Sequence, residues 1–176
     1  MFKVKVTKED LTKGEQYLID RAAKHFQECF NSVEFRQFVL NFKFESTYKT
    51  GFWPFRRCVE FKDNRFHYTD ISNRAVYKIL MSGKEILDGK IDQTANIYLK
   101  IDRGFTRNVV GYTYANTKWQ WLYKWVLDSW DYKDIAGNLA HEWSHKAGFD
   151  HEYNYTYLRE YSVPYAVGTF VSDWKK

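Results

Sequence analysis

One α+β domain is the fold class that the sequence predicts, on three observations. The chain has 176 residues, enough for one hydrophobic core and too few for two domains of ordinary size. Apolar residues make up 44% and charged residues 28%, the balance of a water-soluble globular protein. Stretches with helical apolar spacing are interleaved with stretches that alternate, and no repeat, low-complexity tract or linker divides them, so residues 1–176 read as one unit.

The elements follow in order. Between Glu15 and Phe30, Leu18, Ile19, Ala22, Ala23, Phe26, Cys29 and Phe30 recur at helical spacing and give one apolar face over about four turns. Asn31 followed by Glu34 resembles a capping box, opening a second helix with Val39 and Phe42 inward that ends near Phe44. Gly51 and Pro54 break the pattern, and CVEF and RFHY alternate around Asp63 and Asn64 as a hairpin would. Ser72 is placed to cap a short helix through Met81 that stops at Gly83.

NIYLKID around Tyr98 alternates like a half-buried strand, and VVGYTYA from Val109 reads as another. Trp119, Trp121, Tyr123 and Trp125 fall on alternate positions, a strand with one aromatic face, with a helix as the weaker alternative. Beyond Asp134, IAGNLAHEWSHKAG has Ile135, Leu139 and Ala140 at helical intervals, and Gly148 is positioned to end that helix in a left-handed turn.

Composition narrows the function. The 14 Phe, 14 Tyr and 7 Trp are read mainly as packing. A net charge of +5 is spread along the chain with no Lys/Arg run longer than two, which argues against a nucleic-acid partner. No signal peptide and no run of 18 apolar residues is legible, so no membrane role is expected and the default compartment is the cytoplasm. Cys29 and Cys58 lack metal-ligand spacing and read as buried thiols, with one disulfide left open. His25 and His67 read as satisfied structural side chains.

The chemistry is concentrated in HEWSHKAGFDH, residues 141–151, which fits HExxHxxGxxH at every specified position. Such a match arises by accident roughly once in 10⁵ sequences of this composition. His141 and His145, four residues apart on a helix, project from one face about a turn apart, where two imidazoles can hold one ion. A turn at Gly148 lets His151 swing back as the third ligand. Three neutral nitrogens and an open position suit one catalytic Zn²⁺, which lowers the pKa of a bound water to about 7. Glu142, beside the metal face and outside the ligand set, is then placed as general base toward that water and later as acid toward the leaving amine.

These residues resemble the metzincin metallopeptidases, and GFDHE, residues 148–152, is most similar to the astacin-type signature. The resemblance implies a zincin-like fold. Its features would be a mixed sheet of about five strands, an N-terminal helix, an active-site helix carrying the first two ligands, and a small irregular C-terminal part. It also implies zinc-dependent hydrolysis of a peptide or protein substrate, recognised by pairing with an edge strand, for which VVGYTYA and NIYLKID are the candidates.

One departure is plain, because Met1 and Met81 are the only methionines and none follows His151. SVPYAVG, residues 162–168, is the best placed substitute for the family's methionine turn, with Pro164 at the methionine position. Tyr165 is then the nearest counterpart of an extra ligand or oxyanion stabiliser, with Tyr161 a weaker one. A glutamate such as Glu160 need not serve as third ligand while His151 is present.

Two further readings stay open: a zinc amide hydrolase acting on cell-wall peptides, and a non-catalytic zinc-stabilised binding module that stacks its Trp and Tyr rings on nucleic acid or sugar. Substrate and oligomeric state are not legible in one sequence.

Overall fold

The computed structural model describes residues 1–44, 71–106, 108–114, 116–151 and 159–175. The hairpin expected around Asp63, together with Cys58 and His67, lies outside them. Six α-helices and a four-stranded mixed sheet are found among the described residues.

Strand β1 (Lys3–Lys8) is an element that the sequence pattern did not announce. Lys3, Lys5 and Thr7 face outward while Val4, Val6 and Lys8 alternate to the less exposed side, where Lys8 pairs with Asp20, so the alternation belongs to an edge strand with lysines on its open face. β1 pairs in parallel with β2 (Thr94–Asp102), β2 in parallel with β4 (Trp119–Tyr123), and β4 antiparallel with β3 (Gly111–Thr113), giving the order β1-β2-β4-β3. NIYLKID is therefore a central strand and is closed to strand addition, because both its edges are paired. VVGYTYA supplies the edge strand β3.

Helix α1 (Lys13–Phe30) carries the capping box of this fold. Thr12 accepts from the Glu15 backbone N–H at 3.3 Å and the Glu15 carboxylate accepts from the Thr12 N–H at 2.7 Å. The box expected at Asn31 is replaced by Ser32, which caps α2 (Val33–Asn41) through the Phe35 N–H. Asn31 is occupied elsewhere, with its side chain exchanging two hydrogen bonds with the Phe2 backbone and so tying β1 to the end of α1. Phe42 lies past the end of α2 and is only partly buried.

Helix α3 (Asn73–Ser82) runs from its Ser72 cap to Gly83, as expected. The aromatic run from Trp119 is divided, since the strand stops at Tyr123 and Trp125 belongs to the short helix α4 (Lys124–Ser129), which buries Val126 and Leu127. Helix α5 (Tyr132–Lys146) packs against α1, β2, β3 and α6 (Val163–Asp173).

The core forms between the sheet and these helices. Trp143 of α5 is fully buried against Phe2, Phe26 and Phe30, at ring centroid distances of 5.5, 6.0 and 6.0 Å. Such contacts combine large apolar burial with favourable edge-to-face geometry. Cys29 is free within this core, and its thiol is pushed far above the ordinary range by burial. His25 is buried with Nε2 2.9 Å from the Val171 carbonyl, the satisfied structural histidine that its sequence context suggested.

The C-terminal part corrects the expectation of an irregular segment, because residues 163–173 form α6. Val163, Val167 and Val171 recur four apart and are buried, and Pro164 sits in the first turn, where no intrahelical donor is needed. The helix is held very close to α5. A Cβ on Gly137 would lie 2.6 Å from the Gly168 carbonyl oxygen, and one on Gly168 would lie 3.0 Å from that of Gly137. Glycine at both positions is what lets the backbones approach.

Candidate metal centre

Three imidazoles converge where α5 ends. His141 and His145 leave successive turns of α5, and the chain then reverses through two hydrogen bonds, Gly148 N–H to the His145 carbonyl at 3.0 Å and Phe149 N–H to the Ser144 carbonyl at 3.1 Å. This is a Schellman closure, and Gly148 adopts the positive φ of 107° that it requires. Phe149 is buried behind it, so the reversal is anchored by packing. The turn brings His151 back to the helix face.

One ring nitrogen from each of His141, His145 and His151 lies within 4.8 Å of the others. The Nε2 atoms of His141 and His151 are 3.2 Å apart. Tetrahedral Zn²⁺ with N ligands at 2.0–2.1 Å requires N···N separations of about 3.3 Å, so this pair is already at the spacing of two ligands, and a ring nitrogen of His145 lies within 4.8 Å of both. The donor set fits a zinc ion.

The surroundings orient the rings. Nδ1 of His145 lies 2.8 Å from the Phe149 carbonyl, which takes its N–H and so makes Nε2 the nitrogen that carries the lone pair. The Pro164 carbonyl faces the His141 ring as a hydrogen-bond acceptor. Burial, followed by the neighbouring His145, His151 and Arg159 charges, holds His141 well below its ordinary pKa. His145 is pushed down to about 3, again by burial first and then by His151. Both are neutral near pH 7, the form that ligates a metal.

Around them lie groups of opposite character. Glu142 is buried, its carboxyl raised to about 8 by loss of solvent with Lys146 opposing, and no described residue donates a hydrogen bond to it. Lys146 is buried too, lowered to about 8 by burial, and its ammonium is held by the Tyr114 and Thr117 carbonyls of the β3–β4 turn. Asp150, raised to about 6 by burial, accepts from the His151 backbone N–H at 2.8 Å.

SVPYAVG does reach the histidines, as the cap and first turns of α6. Gly168 approaches the His141 side chain, where an added Cβ would lie 3.1 Å from the His141 Cβ. The Tyr165 ring meets His141 edge-on at 4.6 Å between centroids and His151 at 4.7 Å. Tyr161 and Glu160 lie with Tyr165 along a neighbouring cavity.

Sequence reading missed Arg159. It opens a 3-10 turn (Arg159–Tyr161) and places its guanidinium carbon 4.5 Å from the centre of the Tyr165 ring. No spacing rule marks such a residue, since it reaches the site only because α6 folds back on α5.

No protein family, curated protein or solved structure matches the chain. Among the described residues no helix is long and apolar enough to cross a membrane.

Proposed function

We propose that the chain is a zinc-dependent metallopeptidase of metzincin-like, zincin type, with His141, His145 and His151 holding one zinc ion and Glu142 as general base. The observation that carries this reading is the convergence of three imidazoles, one ring nitrogen of each within 4.8 Å of the others, with backbone carbonyls orienting His141 and His145. When bound, zinc supplies a Lewis acid that polarises the scissile carbonyl and makes water nucleophilic near neutral pH.

The remaining work belongs to the protein. Glu142 follows His141 and emerges about 100° around the helix, and its desolvated carboxylate is a stronger base than an ordinary glutamate. It receives the proton of the attacking water and returns it to the amine released when the C–N bond breaks. Phe149 and Pro164 hold the ligand rings, and the Gly137–Gly168 contact keeps α6 against α5. The peptide-pairing edge in this reading is β3.

The test joins metal stoichiometry to turnover. Metal-free protein titrated with Zn²⁺ should bind one ion per chain, and His145→Ala should abolish that site. Glu142→Gln should keep the zinc while peptide hydrolysis, followed by mass spectrometry on a peptide mixture, falls by about 10²–10⁴. Undiminished hydrolysis in the zinc-loaded Glu142→Gln protein would overturn the assignment of the base, and cleavage confined to cell-wall amides would move the substrate class.

A further inference from the structure

A cavity of about 650 Å³ runs along α6 beside the histidines, within the roughly 300–1,000 Å³ typical of small-ligand sites. Phe38, Phe42 and Phe170 form its apolar wall, with Phe38 and Phe170 stacked at 4.2 Å. Tyr165 and Arg159 line its metal end, so a single aromatic ring separates the guanidinium from His141 and His151.

Among the described residues Arg159 faces no anion: it forms no ion pair, and its Nε is buried with no hydrogen-bond partner. Leaving such a group unsatisfied is costly, the more so for a charged donor. Its backbone is meanwhile pinned, because the Arg159 carbonyl accepts from both the N–H and the hydroxyl of Ser162. Guanidinium geometry matches a carboxylate through two parallel hydrogen bonds. Of the acidic residues lining the cavity, Glu160 has interactions of its own, and Asp173 is eight residues along α6 from Tyr165, roughly 12 Å away along the helix axis. The anionic end of a ligand therefore belongs at Arg159 and its apolar body along Phe170 and Phe38.

We infer that this cavity recognises the C-terminal residue of a peptide, with Arg159 binding the free α-carboxylate and the phenylalanine wall receiving a bulky apolar side chain. The inference rests on the peptidase reading and narrows it to removal of a C-terminal aromatic or large aliphatic amino acid. Water's hydroxyl goes to the acyl carbon, the last C–N bond breaks, and the proton goes to the amino group of the released amino acid.

Binding and cleavage test it separately. Full-length protein, metal-free and zinc-loaded, is titrated with 3-phenylpropanoate and with 3-phenylpropanamide, followed by calorimetry. The acid should bind at least tenfold more tightly than the amide in both forms, which removes direct metal–carboxylate contact as the cause. Arg159→Gln should erase the difference, Arg159→Lys should restore part of it, and Thr169→Trp, which narrows the cavity from its exposed rim, should weaken both ligands alike. Equal binding of acid and amide by the parent protein overturns the inference, and needs no variant to fold.

In the cleavage arm, a peptide ending in Phe should exceed its C-terminal amide at least tenfold in kcat/KM. If both are cleaved equally, C-terminal recognition fails and the peptidase reading stands. If neither is cleaved while the acid preference in binding persists, the recognition site stands and the peptidase reading fails.

Discussion

Glu85 and Glu142 are both buried carboxyl groups within reach of Lys146, and they differ in what surrounds them. Glu85 is built into the core, its Oε1 accepting from the Asn96 backbone N–H at 2.8 Å and from Trp143 Nε1 at 3.1 Å. Glu142 receives no hydrogen bond from any described residue. Burial raises both, Glu85 to about 7 against the pull of its two donors and Glu142 to about 8. A satisfied buried carboxyl joins elements together, in this case β2 and α5. A buried carboxyl without protein donors has capacity left for a reactant.

The comparison can be broken from the Glu85 side first. Trp143→Ala removes the largest fully buried side chain and one of the two donors, and should cost about 3–5 kcal/mol in denaturant unfolding. A loss below ~1 kcal/mol would mean that the aromatic cluster does not hold α5 in place.

Next in size is a pH effect. The Glu85 carboxyl has an ordinary value of 4.5 and rises to about 7 in the fold, so the folded chain keeps a proton that the unfolded chain has released. The stability this lends is fully present below about pH 4.5, declines as pH rises toward 7, and is gone above it. The whole effect amounts to at most ~3 kcal/mol. Glu85→Gln keeps the acceptor oxygen and removes the charge, so it should recover up to that amount at pH 8 and nothing near pH 4. A pH-independent difference between the two proteins in urea melts would refute this.

A smaller loss is expected from Gly137→Ala, whose Cβ would meet the Gly168 carbonyl oxygen and force α6 away from α5. About 1–3 kcal/mol of stability should go. Zinc affinity should fall with it, because Pro164 and Tyr165 move away from the ligand rings, and unchanged affinity would separate the crossing from the site. The smallest effect sharpens the contrast: near pH 4, where the carboxyl is protonated in the folded and the unfolded chain, Glu142→Gln breaks no protein hydrogen bond and should alter the stability of the metal-free chain by only about 1 kcal/mol. A loss comparable to that of Trp143→Ala would make Glu142 a structural residue.

Much of the site was legible because it is local. HEWSHKAGFDH occupies one helix end and one turn, and within eleven residues helical spacing and the freedom of Gly148 determine where the histidines point. Local spacing likewise marked α1 and α3. It failed where a partner decides. The lysines of β1 hid a strand whose inward face is defined only by β2 and α1. Trp125 continued an alternation that ends at Tyr123. SVPYAVG read as a turn because the resemblance put Pro164 at the methionine position, whereas the proline stands in the first turn of a helix, where it is tolerated.

The sequence by itself therefore determined the face that carries the histidines, the reversal at Gly148 and the identity of the candidate base, because backbone geometry over a few residues dictates them. Only the tertiary structure decided that α6 lies against α5 through Gly137 and Gly168. With that packing came the Pro164 carbonyl on His141, the Tyr165 ring beside His141 and His151, and Arg159, without an ion pair among the described residues, at a phenylalanine-lined cavity. Those relations depend on close packing between segments separated in sequence, and no periodicity within either segment encodes the distance between them.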